Sequence, residues 1–368
     1  MSQPLQFTDD PSDVGMSATA LERAEVILTS EVEMGNITAG SLTVVRHNTT
    51  VVSRGFGRMS PDPESPEVNA DSIFLLASIS KPVTACAMMI LVQQGLISLD
   101  DPAAMYLPEL KGHERTKIRL RDLLSHTSGL PDMLPQNREL RQANAPLSEF
   151  VQGAMNTPLL YTPGTDFRYQ SKGILLAAEI VERVSGKRLR DFEKEEMFDP
   201  LGMKNSALGM GEFGIQDTVW CGTSVEEPEQ DKSFGPNSPY WRDMGHPWGG
   251  MHSTGPDLAI LLQALLNRGE YDGQRIFSQA TVDAMTADQN LHLHKPWGLG
   301  WALARSRVWN YFGELVSPAT FGHTGATGTV AWADPERHLI CVILTNNMVA
   351  NGHLLRRVSN AISASIVD

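Results

Sequence analysis

The sequence predicts an α+β fold: an antiparallel β-sheet flanked by N- and C-terminal helices, with a mainly helical domain inserted between its two halves. Two observations carry the prediction. Strand-like segments gather at the two ends of the chain while helical periods fill the middle. The strands also do not alternate one by one with helices, as a parallel sheet would require.

The elements follow in order. Ser17 caps a first helix whose apolar face is Leu21, Ala24 and Leu28, and Gly35 stops it. Residues 41–45 and 51–55 are apolar and β-branched around the turn His47-Asn48-Thr49, which reads as a hairpin. Residues 59–71 are rich in Pro, Asp and Glu and form a loop. A helix then runs from Ser80 to Leu96 with Gly95 near its end, and others start near Arg121 and Ser148. A fourth spans Lys172–Ser185, with Ile174, Ala178, Val181 and Val184 on one face and Gly186 as its stop. Residues 208–248 lack any period and are dense in Gly, Pro and aromatics, the mark of a functional loop. Ser253 or Thr254 caps the next helix, with Pro256 and Asp257 in its first turn. Strands are expected at 298–304, 328–334 and 338–345, the last two joined by Pro335-Glu336-Arg337, before a closing helix over 354–366. These elements divide the chain into a first part of the sheet domain (1–98), an inserted helical domain (99–207), and a specificity loop with the rest of the sheet domain (208–368).

Composition narrows the function. The chain has 368 residues and a formal charge of −13, which argues against nucleic acid or an anionic membrane as partner. The N-terminus lacks a basic and apolar leader pattern, and no window approaches the roughly 18 apolar residues of a membrane span. Cys86, Cys221 and Cys341 are odd in number and far apart, so buried free thiols and a cytoplasmic setting are expected. His292 and His294 have no third ligand nearby, so neither a metal nor another cofactor is expected.

The chemistry lies in three short segments. Ser78-Ile79-Ser80-Lys81 follows the extended run 73–76 and opens an apolar helix. Residues three apart on a helix share a face, so the hydroxyl and the amine meet. A serine is a weak nucleophile until a base takes its proton, and a lysine serves if its pKa is lowered. Phe167-Arg168-Tyr169-Gln170-Ser171 places Tyr169 at a helix entrance. Residues 322–328, Gly-His-Thr-Gly-Ala-Thr-Gly, enter a strand with glycines that admit close backbone approach.

With these three segments the chain resembles the serine β-lactamase-like superfamily. The nearest resemblance is to class C β-lactamases, D-alanyl-D-alanine peptidases and β-lactamase-type carboxylesterases. Residues 123–130, Pro163-Gly164-Thr165, Pro200-Leu201-Gly202-Met203, Gly249-Gly250 with Ser253-Thr254, and Leu344-Thr345-Asn346 are similar to family segments in family order. The resemblance implies a β-lactamase/transpeptidase-like fold with its site in the cleft between sheet and helical domain. It implies Ser78 as acylated nucleophile and Lys81 with Tyr169 as proton-transfer pair, either neutral Lys81 or a Tyr169 phenolate being the base. The oxyanion hole would be the N–H groups of Ser78 and Ala326, and Ser171, His323, Thr324 and Gly325 would contact substrate. The substrate would be a small ester, amide or β-lactam.

Two departures bear on that substrate. Ser171 stands where the family usually has asparagine, and His323 where β-lactamases commonly have lysine. A histidine is mostly neutral at pH 7, so it offers a carboxylate no fixed charge. A small carboxylic ester therefore becomes the expected substrate. The alternatives are a D-amino-acid peptidase or amidase, a weak β-lactamase, an acyltransferase, or a catalytically inactive binding protein. Among the tryptophans of the irregular region, Trp241 or Trp248 is expected to line the pocket. His126 and Ser80 read as structural. Oligomeric state, acyl group and leaving group stay open at this level.

Overall fold

Seven strands form one sheet, in the order Gln6–Phe7, Thr49–Gly57, Ala39–Arg46, Leu339–Thr345, Thr329–Asp334, Phe321–Gly325 and Ala302–Leu303. The computed structural model describes residues 2–222, 232–347 and 352–367. All neighbouring strands are antiparallel except Gln6–Phe7, which runs parallel to Thr49–Gly57. The two ends of the chain meet at the centre, where Leu339 pairs with Arg46 and Thr345 with Gly40. The N-terminal hairpin turns at His47 and Asn48, with φ of 48° and 63°. Both sit in the left-handed region that a tight hairpin turn of matching twist demands.

The central strands are buried along their whole length because helices cover both faces. On one face, Leu42, Val44, Cys341 and Ile343 pack with Leu21, Ala24 and Leu28 of helix Ala18–Glu33 and with Leu355, Val358 and Ile362 of helix Gly352–Ser363. On the other, Val45, Ile340, Val342 and Leu344 join Leu258, Leu261 and Leu262 of helix Gly255–Leu266. Thr254 is the cap of that helix, its side chain accepting the Asp257 N–H at 3.2 Å.

The helices of the middle region gather around Ser80–Gln93, in which every residue from Ser80 to Leu91 is buried. Lys172–Ser185 ends at Gly186 in the left-handed conformation (φ 71°). Short helices at Asn137–Gln142 and Leu189–Glu193 add to those expected from the sequence.

Two β segments differ from expectation. The strand predicted over 298–304 shrinks to Ala302–Leu303, because Gly300 turns the chain with φ 78°. Conversely, Phe321–Gly325 is itself a strand and forms a hairpin with Thr329–Asp334, where the sequence suggested only an approach to one. Within 208–248, residues 223–231 lie outside the described ones. The remainder is organised by Arg242, which is buried and donates to the carbonyls of Pro236 and Val219, to Thr218 Oγ1 and to Asn237 Oδ1. One guanidinium thus satisfies groups that have no sheet ladder. A small sheet of Phe74–Leu75, Met251–Ser253 and Ala207–Leu208 ties this region to the segment before Ser78. Among the described residues no helix is long and apolar enough to cross a membrane.

Candidate active site

The segment carrying Ser78 is bent sharply. The strand Phe74–Leu75 ends, Ala77 takes φ 49°, and the turn Ala77–Ile79 leads into the helix at Ser80. A left-handed alanine is strained by about 1–2 kcal/mol and persists only where its surroundings hold it. Ser80 provides the hold. Its hydroxyl donates to Ala77 O at 2.7 Å and accepts the Met251 N–H at 2.9 Å. Ser80 is thus a peg for the turn that carries Ser78. Ser78 remains partly exposed, whereas Lys81 is only 1% exposed.

Lys81 Nζ lies 2.9 Å from Ser78 Oγ and donates to the Trp248 carbonyl at 2.9 Å. It sits 4.8 Å from the centre of the Tyr169 ring. Burial draws its pKa down to about 7, against the pull of Asp132 and with the help of the Lys172 charge. Tyr169 behaves oppositely. Burial pushes its phenol well above the ordinary range, partly offset by nearby Ser78 and reinforced by Asp132. Its hydroxyl is shut off from solvent and approaches the Ser78 hydroxyl without completing a well-formed hydrogen bond among the described residues.

Rings fix the tyrosine from several sides: His126 at 4.7 Å, Trp309 at 5.8 Å, Trp297 at 5.9 Å and His323 at 6.0 Å between centroids. His126 is fully buried, has φ 62°, and accepts the Gln170 N–H at Nδ1 (3.3 Å). Burial and the Lys81 charge hold its pKa well below the usual histidine value, so it supports Tyr169 as a neutral ring.

The Phe321–Gly325 strand reaches the same place. A Cβ on Gly325 would stand 2.1 Å from Leu76 O, so only glycine allows this approach. Thr327 Oγ1 donates to Leu75 O at 2.8 Å and Thr329 Oγ1 to Leu76 O at 2.9 Å. These bonds clamp the turn that begins at Ala326 against the segment just before Ser78. His323 and Thr324 are fully buried. The His323 Nδ1–H donates to Thr324 O at 2.8 Å, while Nε2 has no partner among the described residues. Burial, followed by the Lys81 charge, lowers the His323 pKa to about 3, so the ring is neutral at physiological pH.

Trp248 meets the site through its carbonyl. Its indole faces inward, packing on Phe150 (6.1 Å) and under Lys172 Nζ (3.9 Å), and it is 4% exposed. Trp241 is partly buried against His246 at 4.2 Å. Ser171 is occupied too, its hydroxyl donating to Asp132 Oδ1 at 2.7 Å.

Asp132 and Lys172 escaped the sequence reading. Lys172 is fully buried without a hydrogen bond among the described residues, and burial lowers its pKa to about 8 with Asp132 opposing. One signal was available: a lysine in the first turn of a helix opposes the helix dipole and needs another reason to be there. Asp132 carries no local pattern and is brought in by the fold. The two charges bias Lys81 in opposite directions, which gives a paired expectation. Lys172→Met should raise the Lys81 pKa and move the acidic limb of the kcat/KM–pH profile to higher pH. Asp132→Asn should move it to lower pH, because the charge that favours protonated Lys81 is gone. Shifts of the same sign in both variants would contradict this electrostatic arrangement.

A serine, a buried lysine of lowered pKa and a partly buried tyrosine with a covered hydroxyl, converging beside a glycine-bearing strand, define a serine hydrolase of the β-lactamase fold. The chain belongs to the Beta-lactamase family, whose model matches residues 25–363. A protein of Escherichia coli (strain K12) named as a candidate D-alanyl-D-alanine carboxypeptidase is 28% identical over 93% of this chain and 86% of its own length. A penicillin-binding protein homologue from Caulobacter crescentus superposes with TM-score 0.78 at 22% identity, covering 95% of this chain and 99% of its own. A family VIII carboxylesterase superposes with TM-score 0.75 at 21% identity, again over 95% and 99%. Among the described residues no three His, Cys, Asp or Glu side chains group as a metal site would require.

Proposed function

We propose that the protein hydrolyses small carboxylic esters through an acyl-enzyme on Ser78. The observation that carries this reading is the 2.9 Å contact between Ser78 Oγ and a lysine amine whose pKa is lowered to about 7. At neutral pH a large fraction of Lys81 is then the free amine, the form that can accept a proton. Tyr169, pushed upward, stays a phenol, which favours Lys81 over a Tyr169 phenolate as base.

In the forward step Lys81 takes the Ser78 proton as Oγ bonds to the ester carbonyl carbon. The carbonyl oxygen gains the negative charge and is received by the N–H groups of Ser78 and Ala326, each such donor being worth about 2.7–4 kcal/mol. The C–O bond to the alcohol then breaks. Tyr169 protonates the departing oxygen and is reprotonated from Lys81. Water repeats the sequence on the acyl-enzyme, releasing the acid and returning the proton to Ser78.

An ester is favoured over a substrate held by its carboxylate at the strand, since His323 is neutral and the Ser171 hydroxyl is given to Asp132. A D-amino-acid peptidase or amidase is the second reading, favoured by the identity to the Escherichia coli protein. The test compares kcat/KM on a short-chain p-nitrophenyl ester, a chromogenic cephalosporin and a D-alanyl peptide. The ester should be the best substrate. A faster peptide or cephalosporin would replace the reading, and a folded protein inert on all three would point to a binding role. Product analysis with an added alcohol separates hydrolysis from acyl transfer.

A further inference from the structure

Beside Tyr169 opens a cavity of about 680 Å³ whose wall includes Arg168, His294, Lys295, Arg305 and Arg307. Among the described residues no acidic one contributes to the wall, in a chain with 43 acidic and 30 basic residues. Among the described residues, none of the side chains of Arg168, Lys295, Arg305 and Arg307 forms an ion pair or a hydrogen bond. Asp288, the acid nearest Lys295 in sequence, is turned to the N–H groups of Asn290 and Trp297. Asp166, two residues before Arg168, turns its carboxylate to the Phe167 N–H. Four exposed like charges with no close ion pair among the described residues repel one another, and an anion placed among them relieves that repulsion. Guanidinium groups also match the paired oxygens of a carboxylate or phosphate.

The cavity's position says which part of a substrate it would hold. The Tyr169 ring forms part of its wall, while the Tyr169 hydroxyl, covered from solvent, lies on the Ser78 side and in the mechanism proposed above protonates the departing oxygen there. A leaving alcohol that runs past the Tyr169 ring enters the basic cavity, whose volume suits a small ligand. Resting on the esterase reading above, we propose that the preferred ester carries an anionic oxyacid group on its alcohol portion, held by Arg168, Lys295, Arg305 and Arg307. The positive charge that His323 does not supply at the strand is supplied on the leaving-group side instead.

The test uses three acetate esters with comparable phenolic leaving groups: those of 3-hydroxybenzoate, 3-hydroxyphenyl phosphate and the neutral 3-hydroxybenzamide. The wild type should prefer an anionic ester to the neutral one by about tenfold or more in kcat/KM. That ratio should shrink in 0.5 M NaCl, as exposed charges are screened. In the double variant Arg305→Gln/Arg307→Gln the ratio should fall towards one, chiefly through KM. The better of the two anionic esters distinguishes carboxylate from phosphate. Turnover of all three at equal rates, or a preference untouched by the double substitution, overturns the proposal and leaves the esterase reading standing. If no ester is turned over, equilibrium binding of the three free phenols decides. Tighter binding of an anionic phenol, lost in the double variant, supports the cavity's role, and equal affinities overturn it.

Discussion

Replacing Lys81 by methionine should lower kcat/KM for an ester by about 10²–10⁴-fold while the protein stays folded. The fold should survive because the amine is buried at a cost and a methionine fills similar space, which offsets the loss of the donor to the Trp248 carbonyl. Lys81→Arg sharpens the expectation. A guanidinium keeps a positive charge in the site yet cannot give up its proton at working pH, so it cannot act as base. Both variants should therefore fail alike. Retained activity in Lys81→Arg would mean that the site needs a charge there rather than a proton acceptor. The wild-type profile should show the same chemistry. Activity rises with pH as Lys81 loses its proton, with a midpoint near the value of about 7 set by burial.

The second large effect concerns Tyr169 and depends on the substrate. Tyr169→Phe should cost about 10²–10⁴-fold on an alkyl ester, whose alkoxide cannot leave unprotonated. On a p-nitrophenyl ester the loss should be far smaller, because that anion departs without a proton. The hydroxyl has no well-formed hydrogen bond to lose beyond its approach to Ser78, and the ring cage of His126, Trp297, Trp309 and His323 accepts phenylalanine, so stability should change little. Measuring kcat/KM on the two ester types in both proteins checks this. Equal losses on both would assign the tyrosine to removing the serine proton, and would reverse the division of labour with Lys81.

Local chemistry was the part of this molecule most open to reading from sequence. The Ser17 cap, the Gly186 stop and the three-residue spacing of Ser78 and Lys81 each act within one or two turns, so their physics is complete in a few residues. The central sheet was legible for a related reason: residues 339–344 are continuously apolar, and only a strand covered on both faces accommodates that. Phe321–Gly325 was harder. Two glycines and a histidine carry little strand preference, and the segment is held by pairing to Thr329–Asp334 and by the clamp on Leu75 and Leu76. Asp132, Lys172, Ser80 and Arg242 owe their roles to partners distant in sequence. Ser80, for example, bonds to Met251, 171 residues away. The cationic cavity has the same origin, since Arg168, Lys295 and Arg307 meet only once the chain is folded.

The central claim is that Ser78 becomes acylated after losing its proton to Lys81. Trapping with a fluorophosphonate, followed by peptide mass analysis, tests it most directly. The account predicts one adduct, on Ser78, forming faster as pH rises through about 7 and absent from Ser78→Ala. An adduct on another residue, or ester turnover that persists in Ser78→Ala, would contradict it.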